Sequence, residues 1–472
     1  MNTLNLQFKK VTPLCLIVVA LGSFAFSPQT RAACGTPDSG CSGGSLAEGY
    51  LALSSLAGGF YDTGTGAYSL LSNTTGSFNT GVGAGTLFSN VDATEGTAVG
   101  AGALFSSNAV NNTAVGAFAL FSNTTGLDNT ALGDVALLDN ITGSRHTAVG
   151  SHALLNCVAP PDFAGNTAVG TSALFTDTTG NFNTAIGDSA LFSNTTGAVN
   201  TAMGLDAMSA NTTGIQNTAT GGNALFSNTT ANNNTANGAF ALFSNTTGAN
   251  NTALGIQALN LNIAGGNNTA VGNAALINST GNFNTALGNG AGLNVSTAND
   301  VICIGNNGDN VDGTAWIGNV FGVATVSGTT APVLVSNTGQ LGTVASSERF
   351  KKDISTMDRA SETILALRPV TFHYKTDTKC TPQFGLIAEE VARVNPSLII
   401  PDKEGKPYTV RYDAVNAMLL NEFLKEHKKV EVLESTVATL AATVKEQALQ
   451  IQKVGAQLEL TKAAPQTVLN NH

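Results

Sequence analysis

A phrase of five residues, Asn-Thr-Ala-Val-Gly or a near variant, recurs thirteen times along this 472-residue chain, its threonine falling from Thr80 to Thr285. The step is 17 residues almost throughout, with two steps of 16 and one of 20. Between successive copies comes a second phrase, Ala-Leu-Phe-Ser-Asn-Thr-Thr-Gly, as at Ala190–Gly197 and Ala241–Gly248. A 17-residue unit is too short for a helical hairpin. It holds two short apolar segments and two turn clusters, and a single such coil buries too little to stand alone. Stacked coils bury a continuous column and pair their backbones from rung to rung. The expected fold is therefore mainly β, with a parallel β-solenoid or β-roll over 68–299.

Within a coil, the alternation of "TAVG" puts one set of side chains inside. Val115 is taken as inward. The Thr column is expected to turn inward in its Asn-Thr-Ala context, which counts against a hydroxyl array for binding ice or another ordered surface. Asn112, Asn129 and Asn166 are expected to satisfy one another's amides in a ladder. The Asn of the "NTT" triplets, such as Asn73, Asn194 and Asn228, reads as a turn residue rather than a glycosylated one. The 20-residue step holds "CVAPPDF", Cys157–Phe163, which reads as a loop insertion.

Charge divides the chain sharply. From Ser45 to Ala345 there is one basic residue, Arg145, against fourteen acidic ones. The last 127 residues hold 17 Lys and Arg and 16 Asp and Glu. Overall 11% of residues are charged, where about 25% is usual for a globular protein. Neither part carries a basic patch, so nucleic acid is not an expected partner. Glycan cleavage needs paired carboxylates across a cleft, and the acids of the repeats are scattered through turns. Asp309 and Asp312 lack the alternating ligands of a calcium loop.

The N-terminus reads as a secretory signal over 1–32: Lys9 and Lys10, the apolar run Leu14–Phe26, then small residues at "TRAAC". Cleavage is expected after Ala32 or Ala33, leaving no membrane span and a secreted or cell-surface protein. Arg31 stands where a lipoprotein signal would have Leu. Cys15 leaves with the signal. Cys34 and Cys41 are close enough to bridge in an oxidising compartment. Cys157, Cys303 and Cys380 have no metal-ligand spacing, so no metal or cofactor is expected. Residues 33–67 form an N-terminal segment.

Past the repeats, 300–345 reads as a β-rich neck. The tail reads as a small α+β domain, 346–429, then a coiled coil over 430–462. "STMDRASETILALRP" carries Ser355 and Asp358 in capping-box spacing, with a stop before Pro369. "VTFHYK" is a strand, "FGLIAEEVARVNP" a strand then a helix, and "PDKEGKPYTVRY" a hairpin turning at Gly405. Asp413 is placed to cap the last helix. Val430, Leu433, Val437, Leu440, Val444, Ile451, Val454 and Leu458 fall on heptad a/d positions.

The repeats resemble the heads of trimeric autotransporter adhesins, in which an Asn-x-Ala-Ile-Gly pattern builds a trimeric parallel β-roll. The stretch "SSERFKKDI", with "FGLIAEEV" and a terminal coiled coil, resembles the intramolecular chaperone of phage endosialidases, tail spikes and tail fibres, a family of self-cleaving serine peptidases. Ser346 falls on the family's serine and Lys351 on its lysine. Arg349, Phe350, Asp353 and Ile354 also fit, while Ser347 stands where Asp is usual. The resemblance implies a Ser346/Lys351 nucleophile and base and a cut between Ala345 and Ser346. It also implies a homotrimer, so that the expected partners are copies of the chain itself and a cell-surface glycan or protein receptor. The function expected is a secreted fibre of adhesin-like character. The alternative is a phage-type tailspike that binds or cleaves glycans through its repeats.

Overall fold

The computed structural model describes residues 43–158, 165–321, 323, 330–336 and 338–462. The signal segment, Cys34, Cys41 and most of the "CVAPPDF" insertion lie outside these residues. Two compact units divide between Val326 and Ser327.

The first unit is a parallel β-solenoid. Seventeen strands of three residues, from Leu46–Glu48 to Ala315–Ile317, form one sheet in which each strand pairs with the next. The pairing is parallel and level, with Thr184 opposite Thr201 and Ala185 opposite Ala202. The ladder extends past the thirteen-fold phrase at both ends. It takes in part of the 33–67 segment because Asp62 replaces the Asn of the phrase, its Oδ1 accepting from the backbone N–H of Asn79 at 2.9 Å. It takes in Ile302–Ile304 and Ala315–Ile317 of the neck, which pair in the same register.

One coil shows how the residues divide. In Thr184–Asn200, Ala185, Ala190 and Leu191 are fully buried, together with Asn194 and Asn200. The middle residue of each Thr-Ala-Val strand is the inward one. Ala114 is therefore buried and Val115 half-buried on the outer face, which corrects the expected orientation of Val115. Ala fits because the coil is narrow, and the branched side chain is left outside. The Thr column faces outward too, half-exposed at Thr184 and Thr201 and exposed at Thr218 and Thr235, against the inward turn expected of it.

The corners need left-handed backbone. Gly204 has φ of 137°, and a Cβ there would lie 2.6 Å from the Gly221 carbonyl of the next rung. Leu191 is also left-handed, at φ 52°. That conformation costs roughly 1–2 kcal/mol for an L-residue. Burying a Leu side chain contributes about 1.5–3 kcal/mol, and the Leu191 N–H pairs with the Ala207 carbonyl at 3.0 Å. Burial and the rung-to-rung bond outweigh the strain.

The second unit is a small α+β domain. A 3₁₀ helix, Asp358–Ala366, precedes the antiparallel pair Val370–Phe372 and Gln383–Gly385. Helix α1, Ala388–Val394, leads to the hairpin Ile399–Pro401 and Pro407–Val410, turned at Gly405 with φ of 81°. Helix α2 runs unbroken from Tyr412 to Lys462, with Asp413 in its first turn. Val391, Leu398, Val410 and Met418 form the core, with Ile364, Leu367 and Leu386 packed against it. The Ser355–Asp358 capping box does not form. Met357 stands at the N-cap with no side-chain cap bond. The start of that helix is held from α2 instead, where Lys425 Nζ donates to the Asp358 carbonyl at 2.6 Å. The apolar heptad positions of α2 are open to solvent in the single chain, from 48% at Val430 to 72% at Ile451.

Candidate functional site

Ser346 and Lys351 are brought together by one turn of 3₁₀ helix, Glu348–Phe350. Its bonds, Phe350 N–H to Ser347 O at 3.0 Å and Lys351 N–H to Glu348 O at 2.9 Å, fold the chain back on itself. Lys351 Nζ then donates to Ser346 Oγ at 3.2 Å. A five-residue spacing alone leaves that distance open, and the turn sets it. Both side chains are exposed. Ala345, on the other side of the bond before Ser346, is exposed as well. The Arg349 guanidinium lies over the Phe350 ring at 4.6 Å, which places a second cation beside the turn. Asp353 sits in the left-handed region at φ 55°, and Ile354 is exposed.

A second cluster in this unit has no counterpart in the sequence reading. Ser361 is fully buried and Glu422 nearly so. Ser361 Oγ donates to Glu422 Oε1. Lys425 Nζ donates to the same Oε1 at 2.7 Å, and Asn421 Nδ2 to Ser361 Oγ at 2.7 Å. The hydrogen bonds of Lys425 and Ser361 hold the Glu422 carboxyl below its usual range. This network ties the 3₁₀ helix to α2. Ser361 and Glu422 are 61 residues apart in the chain, so no local pattern joins them.

In the solenoid, two columns of Asn run along the interior. In one, each side-chain oxygen accepts the backbone N–H of the next rung, as Asn183 Oδ1 does from Asn200 N at 3.1 Å, while Nδ2 reaches a turn carbonyl, Gly197 O at 2.8 Å. Asn112, Asn129 and Asn166 belong to this column. Their amides do not bond to one another: Asn112, Asn129 and Asn166 Nδ2 donate to the Gly126, Gly143 and Gly180 carbonyls at 2.8, 2.9 and 2.8 Å, Asn166 Nδ2 also donates to Asp177, and Asn129 N donates to Asn112 Oδ1. Amide-to-amide bonds occur at other rungs of this column, as from Asn217 Nδ2 to Asn200 Oδ1 at 3.2 Å, and run along the second column, in which Asn211 Nδ2 donates to Asn194 Oδ1 and Asn228 Nδ2 to Asn211 Oδ1, each at 2.8 Å. Asn73, Asn194 and Asn228 are thus buried ladder residues.

Titratable residues replace Asn at a few rungs. His146 is buried, and burial pushes its imidazole down to about 4. Its Nε2 lies 3.6 Å from Cys157 Sγ. Asp177 accepts from Asn194 Nδ2 and Asn166 Nδ2, each at 2.8 Å, yet burial outweighs these bonds and raises its carboxyl to about 8. On the outer face, Asp206 is raised first by burial and then by Asp188. Among the described residues, no group of three or more His, Cys, Asp or Glu is arranged to hold a metal ion, and no helix is long and apolar enough to cross a membrane.

Comparison with known proteins bears on the tail. Residues 346–400 match the family described as chaperone of endosialidase. The chain carries an endosialidase-type chaperone domain. The match opens on Ser346 and takes in the Ser346–Lys351 turn, the 3₁₀ helix with Ser361, the first antiparallel pair and α1. No curated protein and no solved structure matches the chain.

Proposed function

We propose that the protein is a secreted, homotrimeric, adhesin-like fibre whose endosialidase-type chaperone aligns three chains and then cuts itself free before Ser346. The observation that carries the reading is the position of Ser346. It is the first residue of the family match, and its hydroxyl accepts a hydrogen bond from Lys351 at 3.2 Å. In the proposed step, Ser346 Oγ attacks the carbonyl carbon of Ala345 and its proton passes to Lys351 Nζ. The C–N bond breaks, and the amine of Ser346 takes up the proton. Water then hydrolyses the resulting ester.

A lysine accepts a proton only when burial or a neighbouring cation lowers its pKa. Lys352 and Arg349 are neighbouring cations in sequence, and packing between copies would supply the burial. Cleavage therefore follows assembly. The division of charge along the chain fits this order of events. Level stacking of identical rungs has a register problem, and a folded, soluble tail that brings chains together solves it.

N-terminal sequencing of the small fragment tests the reading. The fragment should begin at Ser346 and hold 127 residues. Ser346→Ala and Lys351→Ala should each leave a full-length chain that still assembles, and Lys352→Ala should matter less. Wild-type protein found full-length in stable trimers would remove the peptidase role and leave the chaperone role standing.

A further inference from the structure

A two-stranded hairpin ends three residues before Ala345. Leu334–Val335 pairs antiparallel with Leu341–Gly342, Val335 standing opposite Leu341. Ser336 sets the turn, its carbonyl accepting from the Gly339 N–H at 3.0 Å and its Oγ from the Gln340 N–H at 3.0 Å. Strand alternation puts Val335 and Leu341 on one face, with Val333 two residues earlier on the same side. Val333, Val335 and Leu341 are 65%, 67% and 61% exposed, and Leu334 on the other face is 48% exposed. Among the described residues, neither strand pairs with a third. A lone hairpin is marginal in water and takes further strands or an apolar partner to hold it. No charged residue lies between Asp312 and Glu348.

We propose that three copies of this hairpin close on one another through Val333, Val335 and Leu341, and that the closure presents the Ala345–Ser346 bond for cutting. The proposal rests on the self-cleaving trimer reading and names what times the cut. Three observations favour copies of the chain as the occupant. The uncharged stretch lets copies approach without like charges meeting. The hairpins of the other copies supply the strands that one chain lacks. Helix α2, in the same compact unit, leaves its apolar heptad positions open in the single chain, from Val430 to Leu458, and calls for the same partners. The link to the nucleophile is short. Fully extended, the four residues from Thr343 to Ser346 reach at most about 14 Å. The place of the hairpin therefore governs the backbone torsions on either side of the Ala345 carbonyl, and with them its angle to Ser346 Oγ. In the single chain Ala345 is exposed, although Lys351 Nζ already donates to Ser346 Oγ. Closed hairpins hold the carbonyl in place for attack, and such positioning raises the rate of a step between neighbouring groups. Val333, Val335 and Leu341 are thus positioning residues, and the cut waits for assembly.

The full chain carrying Val335→Thr and Leu341→Thr tests this, since Thr keeps strand propensity and removes the apolar face. It should sediment as a trimer, held by the chaperone and α2, and release the fragment that begins at Ser346 about tenfold more slowly than wild type, or slower still. Leu334→Thr, on the opposite face, should cut nearly as fast as wild type. A second measurement uses uncut chains carrying Ser346→Ala, with Cys34, Cys41 and Cys380 changed to Ser. There Leu341→Cys should join copies on oxidation far more than Leu334→Cys does. A trimeric double variant that cuts at the wild-type rate, equal slowing by Leu334→Thr, or a Ser346→Ala trimer with no excess of cross-linking at Leu341 each overturns the proposal and leaves the self-cleaving fibre intact. Where the double variant does not assemble, the cross-linking decides. Wild-type protein that stays full-length in a trimer, or that sediments as a monomer, overturns the reading on which the proposal rests.

Discussion

The side-chain amide of Asn228 donates to Oδ1 of Asn211 at 2.8 Å, one rung away and sealed from solvent. The same Nδ2 also donates to the Ala231 carbonyl at 3.2 Å, and Oδ1 accepts from Asn245 at 3.1 Å. Asn228→Ala strips partners from groups that have no water to turn to. A buried polar group left unpaired costs about 1–3 kcal/mol, so a local loss of about 2–3 kcal/mol is expected. Hydrogen exchange should show lost protection over the rungs from Asn211 to Asn245. In the single chain, Val115→Asp should leave exchange within its rung nearly unchanged, because that side chain reaches the outer face. Equal effects of the two would mean that the columns are wrongly assigned.

This pair also marks where the sequence stopped being legible. The 17-residue period announced stacked rungs, because nothing else pairs so regular a phrase with itself, and the level register of Thr184 and Thr201 followed. Which of Ala114 and Val115 points inward did not follow, since both are apolar and only the width of the coil decides. Asn194 and Asn228 sit in Asn-Thr-Thr clusters that read equally well as turns. They are turn residues whose side chains point into the column. In the tail, the Ser346–Lys351 contact lies within one local turn, so its two members stand close in the sequence. Ser361 and Glu422 do not, and only the packing of the 3₁₀ helix on α2 makes them neighbours.

Asp177 makes stability fall as pH rises. Its folded pKa, about 8, lies above the ordinary value of 3.8, so its contribution is whole below pH 4 and is lost as pH climbs through 8. The melting temperature of wild type should drop between pH 4 and 8 and level off above that, whereas Asp177→Asn, which restores the ladder amide, should be flatter over that range. Parallel curves would show that Asp177 ionises without penalty.

His146 acts in the opposite direction. Burial lowers its pKa from 6.5 to about 4, so its contribution is whole above pH 6.5 and is lost as pH falls through 4. His146→Asn should hold its melting temperature better than wild type between pH 6 and 4. An unchanged acid limb would exclude the imidazole as the cause.

The Ser361–Glu422 link should matter to the chaperone unit and not to the solenoid. Ser361→Ala leaves the buried Glu422 carboxylate short of a donor, and a loss of about 1–3 kcal/mol is expected. Thermal melting of the tail should shift downward while exchange protection in the solenoid rungs stays as in wild type. Glu422→Gln, which keeps an acceptor for Ser361, should shift it less.

Breaks in the ladder coincide with changes in coil length. The two 16-residue coils place Ser107 and Ser279 where Asn otherwise stands, and the 20-residue coil places Cys157 there. One rung before each, the buried oxygens Asn90 Oδ1, Asn262 Oδ1 and Asn140 Oδ1 are left without a hydrogen-bond partner. Shortening or lengthening a coil thus carries a penalty that adding a whole coil does not. An inserted 17-residue unit meets the same Ala, Ala, Leu and Asn on both sides and lengthens the solenoid by about 4.8 Å. Duplication or loss of entire units is therefore the mutational path of least resistance, and reach is a quantity this gene can tune in steps without redesigning a core.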